Sequence, residues 1–275
     1  MPHLIAPSGI DWHYEMEGHG APVLFIHGWG VNSKIWRQQV KSLSSSFKVI
    51  SVDLPGHGET NWQLISIEQI AQDINYVLEK SGIHQVAVIA SSFGGLVALK
   101  ITELFPLKIR KMSLVGSQPK FSQSSDYPYG IEVARIQKLA GQLNSNYPTI
   151  IHIFFRSLFT RQERESRRFK WIQTFRRTED VPAKEALLGL LNVLIHVDLM
   201  GALDSLDIPL QFVYGRDDYL CPRELQEYLR IKFPKARFDY FEKCGHFPFL
   251  TKPHEFNRVL EEFLLGGREI ELCHL

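Results

Sequence analysis

The sequence has few cysteines, and their placement excludes a disulfide framework. There are three cysteines, an odd number: Cys221, Cys244 and Cys273. They lie far apart in the sequence and form no CxxC pair. This usage is typical of a reducing cytosol, so we expect a cytoplasmic protein. No group of histidines and cysteines has the spacing of metal ligands, so the sequence predicts no metal site.

Long apolar runs and a strong net charge are also lacking. No stretch of about 18 uncharged apolar residues occurs, and no basic segment followed by an apolar run opens the chain. We therefore expect neither a membrane-spanning helix nor a signal peptide. The formal net charge is +1, which gives the whole molecule no strong attraction to nucleic acid or to membranes. With 275 residues, 44% of them hydrophobic, the chain suits one large domain, with or without an insertion.

Short apolar segments alternate with amphipathic stretches of helical spacing. Continuous apolar runs favour strands that are buried on both faces, as in a parallel sheet. The candidate strands are Val23–Ile26, Val49–Asp53, Val86–Ala90, Met112–Gly116, Leu210–Tyr214 and Phe238–Phe241. The candidate helices are Ile67–Leu78, Leu96–Phe105, Leu225–Phe233 and Phe256–Leu264. The alternation predicts an α/β fold with a mostly parallel central sheet flanked by helices.

The alternation stops in the middle of the chain. From about Pro119 to Ile195 the sequence is helical, aromatic and basic, and strand-like runs are missing. We interpret residues 119–195 as a helical cap inserted between two parts of the core, residues 1–118 and 196–275.

A serine lies at a strand-to-helix junction, Ala90-Ser91-Ser92-Phe93-Gly94. A tight turn there would lift the serine hydroxyl above the sheet, and it needs small residues two positions before and after the nucleophile. Ala90 and Gly94 meet that need for Ser92, whereas Ser91 would be flanked by Ile89 and Phe93. We therefore predict that Ser92 is the nucleophile, although Ala90 departs from the usual G-x-S-x-G pattern and an ordinary turn is the alternative.

A serine needs a base and an oriented acid, and two later loops supply candidates. Asp218 lies in the loop Gly215–Pro222, three residues after a strand-ending glycine and four before a proline, so we prefer it to Asp217 as the acid. His246 lies in the loop Lys243–Phe249, where glycine and proline disfavour a helix. The order Ser92, Asp218, His246 is that of the α/β-hydrolase fold, which we predict here.

Backbone amides must hold the oxyanion of the tetrahedral intermediate. We predict the amide of Phe93 and that of Trp29 in the glycine-rich turn His27–Gly30. Packing is an alternative or additional role for the Trp29 ring. His27, His57 and Asp53 are expected to be hydrogen-bonding loop residues.

The cap carries a concentrated positive charge. Between Arg156 and Arg177 there are eight basic residues and only two acidic ones. Arg161, Arg164 and Arg168 have helical spacing and would form one face. That face is either solvated or a docking surface for an acidic partner. Phe154, Phe155, Leu158 and Phe159 beside it would line a channel to Ser92 or bury the cap on the core.

Several segments resemble the pimeloyl-[acyl-carrier protein] methyl ester esterases of biotin synthesis, which are α/β hydrolases. The resemblance covers nearly the whole chain and is carried by Phe25–Arg37, Val52–Gly58, Phe121-Ser122, Ser92–Ala98 and Tyr214–Arg223. It implies hydrolysis of the methyl ester of a pimeloyl chain on acyl carrier protein, without a cofactor.

The resemblance also implies a set of site residues and a partner. The substrate-binding residues would be Trp29, Ser92, Phe93, Phe154 and His246, with Phe155, Arg156, Ser157 and Leu158 assigned by position. Arg156, Arg161, Arg164 and Arg168 would grip the acidic carrier protein, and we expect a monomer. The alternatives are a general carboxylesterase for short free esters, a carbon–carbon bond hydrolase, and a non-catalytic binding protein on this fold.

Overall fold

The computed structural model describes residues 2–176 and 181–266. The predicted residues Arg177 and Cys273 lie outside the described ranges. The described chain forms one eight-stranded sheet in the order β1-β2-β4-β3-β5-β6-β7-β8. The strands are β1 His3–Ile5, β2 Asp11–Glu17, β3 Ala21–Ile26, β4 Phe47–Val52, β5 Val86–Ser91, β6 Ile109–Val115, β7 Leu210–Gly215 and β8 Arg237–Phe241.

Strands β3 to β8 are parallel to one another, and β1 and β2 add an antiparallel edge beside β4. The continuous apolar runs arise because both faces are covered. In β3, Val23 and Phe25 enter one apolar cluster while Leu24 and Ile26 enter another on the opposite face. Strands β1 and β2 were not expected, because β1 has only three residues and β2 mixes charged with apolar residues.

Helices cover both faces of the sheet. Helix α2 packs on α3 on one side, and α1 packs on α12 on the other. The helices are α1 Arg37–Leu43, α2 Ile67–Lys80, α3 Phe93–Leu104, α4 Val133–Asn146, α5 Thr149–Ser157, α6 Arg161–Glu165, α7 Arg167–Arg176, α8 Lys184–His196, α9 Met200–Asp204, α10 Arg223–Lys232, α11 Pro248–Thr251 and α12 Pro253–Leu265. Within the described ranges, no helix combines the length and apolarity needed to cross a membrane.

Of the helices described between β6 and β7, α4 to α8 form the segment interpreted as the cap, and α9 follows it. Its two ends meet at the sheet, where Lys120 and Asp198 form a bridge and Leu199 donates its amide to the Pro119 carbonyl over 2.9 Å. The prediction that Arg161, Arg164 and Arg168 form one face of a single helix is wrong. Ser166 is extended (φ −76°, ψ 155°) and separates α6 from α7.

Candidate active site

Ser92 occupies a strained turn between β5 and α3. Its backbone has φ 53° and ψ −122°, a region that residues with a side chain rarely adopt. Three hydrogen bonds hold the turn. The Ser92 amide donates to the Val115 carbonyl over 2.9 Å, while its own carbonyl accepts from Gly95 N over 2.9 Å and Ser117 Oγ over 2.8 Å. These bonds keep the side chain on the outer side of the turn.

Small residues let two other segments approach this turn. A Cβ on Gly94 would lie 2.6 Å from the His27 carbonyl oxygen. A Cβ on Gly28 would lie 2.9 Å from the Cβ of Ser92. The close fit explains the glycines at both positions, and Ala90 is fully buried within β5.

Asp218 and His246 form a buried pair. Nδ1 of His246 and Oδ2 of Asp218 are 2.7 Å apart, and both side chains are almost completely buried. The second carboxylate oxygen of Asp218 accepts the Leu220 amide over 2.9 Å. When Nδ1–H donates to the Asp218 carboxylate, Nε2 of His246 carries the lone pair of the imidazole.

Asp217 has a different environment. Its side chain is exposed and pairs with Arg223 over 3.1 Å. The structure therefore brings Asp218, and not Asp217, to the histidine.

The acid and histidine loops are packed directly on each other. A Cβ on Gly215 would lie 1.9 Å from the Gly245 carbonyl oxygen, so only glycine fits there. Asp217 donates its amide to the Cys244 carbonyl over 2.9 Å. The Gln226 side chain closes the acid loop by donating to the carbonyls of Gly215 and Cys221, over 3.0 and 2.8 Å.

Ser92 and His246 line one cavity of about 530 Å³ beneath the cap. Most of its wall is apolar, and charged side chains lie along part of it. The apolar residues include Trp29, Phe121, Ile136, Leu139, Phe154, Leu158, Leu191 and Leu194, and the charged ones are Glu132, Arg135 and Glu224. Such a cavity accepts a mainly aliphatic ligand next to a serine hydroxyl.

Sequence comparison agrees with this geometry. A model of the alpha/beta hydrolase fold matches residues 21–253. The chain belongs to the α/β-hydrolase family. The pimeloyl-[acyl-carrier protein] methyl ester esterase of Klebsiella pneumoniae is 32% identical over 90% of this chain and 95% of its own length. That of Nitrosomonas europaea is 29% identical over 89% and 96%.

Solved structures show the same architecture. An esterase from Exiguobacterium antarcticum superimposes with a TM-score of 0.86 and 24% identity, over 95% of this chain and 98% of that one. At 24% identity, this similarity to a solved structure shows the fold alone. Together with the esterase relatives, the family match identifies this α/β hydrolase as a carboxylic ester hydrolase.

The glycine-rich turn His27–Gly30 of this α/β hydrolase is held by histidine side chains. Gly30 donates its amide to Nε2 of His57 over 3.1 Å, and Leu54 donates to Nε2 of His27 over 2.8 Å. Burial lowers the pKa of His27, which keeps it neutral and able to accept. Asp53 accepts the Ser33 amide over 2.7 Å. The expected loop roles of His27, His57 and Asp53 are confirmed.

The predicted substrate residues divide into two groups. Trp29, Ser92, Phe154, Leu158 and His246 line the cavity. The others lie outside its wall: Phe93 is fully buried in the core, Phe155 packs on Phe159 and Phe247, Arg156 is exposed, and Ser157 bonds Tyr219. Phe93 retains its proposed role through its backbone amide.

Trp29 connects the glycine-rich turn His27–Gly30 to the cap. Its indole N–H donates to the Leu187 carbonyl over 3.0 Å, and its ring meets that of Phe154 edge-on at 5.1 Å. The Trp29 side chain therefore packs against the cap and also lines the cavity.

The four arginines that were predicted to contact the carrier protein differ in their exposure and in their contacts. Arg156 and Arg161 are exposed and Arg164 is half-buried, and Arg161 pairs with Glu165 over 3.1 Å. Arg168 instead donates to the Leu250 carbonyl over 2.7 Å, bonds the Gln38 side chain and stacks on Trp171. The guanidinium of Arg168 is thus engaged within the protein, which disfavours a docking role.

Sequence reasoning missed the residues by which the cap holds the histidine loop. Glu163 is buried, and its Oε2 accepts the amides of Gly245 over 3.0 Å and Thr160 over 2.8 Å. The pattern Thr160-x-x-Glu163 is a capping-box signature that predicts the start of a helix. Its further contact with Gly245 had no local signal. Arg135 at the cavity was also missed.

Proposed function

We propose that this α/β hydrolase cleaves the methyl ester of a pimeloyl chain carried by acyl carrier protein, releasing methanol. The observation that carries the proposal is the buried Asp218–His246 pair, 2.7 Å long, on the cavity that Ser92 also lines. The names of the relatives from Klebsiella pneumoniae and Nitrosomonas europaea supply the substrate. Free buried thiols at Cys221 and Cys244 suit a cytoplasmic location.

In the proposed mechanism, Nε2 of His246 accepts the proton of Ser92 as Oγ attacks the ester carbonyl. Asp218 orients the imidazole and stabilises its positive charge. The amides of Trp29 and Phe93 bind the oxyanion. As the tetrahedral intermediate collapses, the bond to the methoxy oxygen breaks and His246 returns the proton, so that methanol leaves. Water, deprotonated by His246, then releases the carboxylate from Ser92.

The cavity supports an aliphatic acyl chain. Its wall beside Ser92 is formed by Trp29, Phe154 and Leu158, and it continues along α4 past Ile136 and Leu139. Burying methylene groups against these side chains contributes about 0.8 kcal/mol each. Arg135, which is exposed and lines the same cavity, is placed to meet the negatively charged carrier end of the substrate.

Arg156, Arg161 and Arg164 are the proposed carrier-protein contacts. Arg156 lies on α5, which also supplies Phe154 and is followed by Leu158. Arg161 and Arg164 lie on α6, which carries Glu163 and so holds the histidine loop. An acidic carrier docked there would place its acyl chain near the cavity. Charge complementarity of this kind mainly raises the association rate and weakens with salt.

The test compares pimeloyl-carrier-protein methyl ester with p-nitrophenyl esters of short acids, at low and high salt. We expect a large preference in kcat/KM for the carrier-bound ester, with a salt dependence that free esters lack. Equal or better hydrolysis of the free esters, insensitive to salt, would contradict the proposal and identify a general carboxylesterase. Failure of a fluorophosphonate probe to label Ser92 would overturn the serine mechanism itself.

A further inference from the structure

Two histidines and a glutamate meet at the antiparallel edge of the sheet, outside the wall of the Ser92 cavity. His3 on β1 is directly opposite His13 on β2, with ring centroids 5.3 Å apart. Glu59 reaches them from the loop after β4. Its Oε2 lies 4.0 Å from Nε2 of His3 and 4.0 Å from Nε2 of His13. One nitrogen of each ring therefore faces the same carboxylate oxygen.

Nε2 of His13 is an unsatisfied buried atom. The side chain is fully buried, and within residues 2–176 and 181–266 this nitrogen has no hydrogen-bond partner. Buried polar atoms are partnered in about 90% of cases, so the exception indicates a missing ligand. The nearby Glu59 oxygen is too distant for a hydrogen bond, but a cation between the two would bind both.

The other nitrogen of each ring is held by a carboxylate. Nδ1 of His13 lies 2.9 Å from Oδ2 of Asp53, and Nδ1 of His3 lies 3.3 Å from Oδ2 of Asp11. Metal-binding histidines are typically oriented in this way, because the carboxylate accepts a hydrogen bond from Nδ1–H and leaves the Nε2 lone pair for the metal. His13 makes this hydrogen bond, and the Asp11 carboxylate lies close enough to His3 to support the same orientation.

The surrounding charge also favours a cation. Asp11, Asp53 and Glu59 contact the two rings, while the nearest lysine, Lys34, lies 3.9 Å from Oε1 of Glu59. Lys34 thus pairs with the oxygen that does not face the histidines.

We propose that His3, His13 and Glu59 bind one divalent cation of the zinc class, through the two Nε2 atoms and Oε2. Two imidazoles and a carboxylate are a typical zinc ligand set, with water as the fourth ligand. Tetrahedral ligands at about 2.1 Å from the ion are about 3.4 Å apart. The three ligand atoms lie within 4.8 Å of one another, and the two 4.0 Å separations from Oε2 of Glu59 must each close by roughly half an ångström. His3 and Glu59 are partly exposed and can make that movement.

The ion would fasten the first strand to the loop after β4. Asp53, which orients His13, also accepts the amides of Ser33 and Glu59 over 2.7 and 3.1 Å. The site is therefore structural and does not depend on the proposed ester substrate. The spacing of the ligands along the chain does not indicate it, because two strands and a loop must fold before they meet.

The test titrates metal-free, full-length protein with Zn²⁺ by calorimetry and with Co²⁺ by visible absorption. We expect one ion per chain, a tetrahedral Co²⁺ spectrum and a higher Tm with Zn²⁺ than with chelator. His3→Ala and Glu59→Gln each weaken binding at least about tenfold, as loss of a ligand or its support does. His254→Ala, an exposed histidine on α12, is the matched control and keeps wild-type affinity.

Two results would overturn the proposal. One is the absence of stoichiometric Zn²⁺ binding by the wild-type protein. The other is wild-type affinity in both ligand variants, which would place the ion elsewhere. Circular dichroism checks that the variants are folded, and His3 and Glu59 are chosen over buried His13 for that reason.

Discussion

The backbone amide of His246 donates to the carbonyl oxygen of Leu158 over 2.9 Å. Leu158 directly follows helix α5 of the cap and lines the cavity, so one residue contacts both the cavity and the proposed base. Glu163 adds a second link to the same loop through Gly245. The cap therefore helps to position His246 as well as to cover the cavity.

The Glu163 link leads to a prediction about positioning. Glu163→Ala removes the acceptor of two buried amides, which should lower the free energy of unfolding by about 1–3 kcal/mol. It should also reduce kcat more than it raises KM, because the histidine loop loses a support. Glu163→Gln keeps an acceptor oxygen and should restore most of kcat. Equal losses in both variants, or no change in kcat, would argue against positioning.

Ser92 and Ser91 form a matched pair. Ser92→Ala should reduce ester hydrolysis by about 10⁴-fold or more and abolish fluorophosphonate labelling, with an unchanged fold. Ser91→Ala should retain activity, because the Ser91 hydroxyl is buried without a hydrogen-bond partner in the described part of the chain. Steady-state kinetics and mass spectrometry of the labelled protein check both. Substantial turnover by Ser92→Ala would refute the nucleophile.

The adjacent aspartates allow a second comparison. Asp218→Asn should lower kcat by about 10⁴-fold, because the amide cannot hold His246 in the required tautomer. Asp217→Asn affects an exposed ion pair with Arg223 and should leave kcat within about twofold of the wild type. Similar losses of kcat in the two variants would contradict the assignment of Asp218, rather than Asp217, as the acid.

The cap arginines Arg161, which is exposed, and Arg164, which is half-buried, should control the choice between carrier-bound and free esters. Arg161→Glu with Arg164→Glu should lower kcat/KM for the carrier-bound ester roughly tenfold and reduce its salt dependence. Hydrolysis of p-nitrophenyl esters should not change. Arg258→Glu on α12 is the control, since Arg258 is exposed away from the cap and pairs only loosely with Glu262, at 3.7 Å. An equal effect of Arg258→Glu would indicate general electrostatics.

The two buried thiols should be unreactive in the folded protein. Burial raises the pKa of Cys221 well above its ordinary value, and the Asp218 carboxylate raises it further; burial also raises the pKa of Cys244. Both therefore remain protonated thiols at pH 8, and the thiolate is the reactive form. Iodoacetamide should label them only after unfolding in urea, as measured by peptide mapping. Labelling of Cys221 under native conditions would contradict its burial.

Much of the fold could be predicted because its signals are local. Six strands were expected from apolar runs, and all six, β3 to β8, are present. The antiparallel strands β1 and β2 lack such runs. Likewise, the spacing of Arg161, Arg164 and Arg168 predicted one helix, but Ser166 interrupts it and Arg168 is bound by Leu250, which is distant in sequence.

The sequence by itself determined the alternating core, the helical character of the segment between β6 and β7, and the Ser92 turn, because periodicity and small residues act over a few neighbouring positions. It also indicated Asp218 and His246 through their loops. Only the tertiary structure decided that Glu163 meets Gly245, and that His3, His13 and Glu59 converge. Those contacts join residues that are far apart along the chain, so their distances depend on how strands and helices pack, which no local pattern specifies.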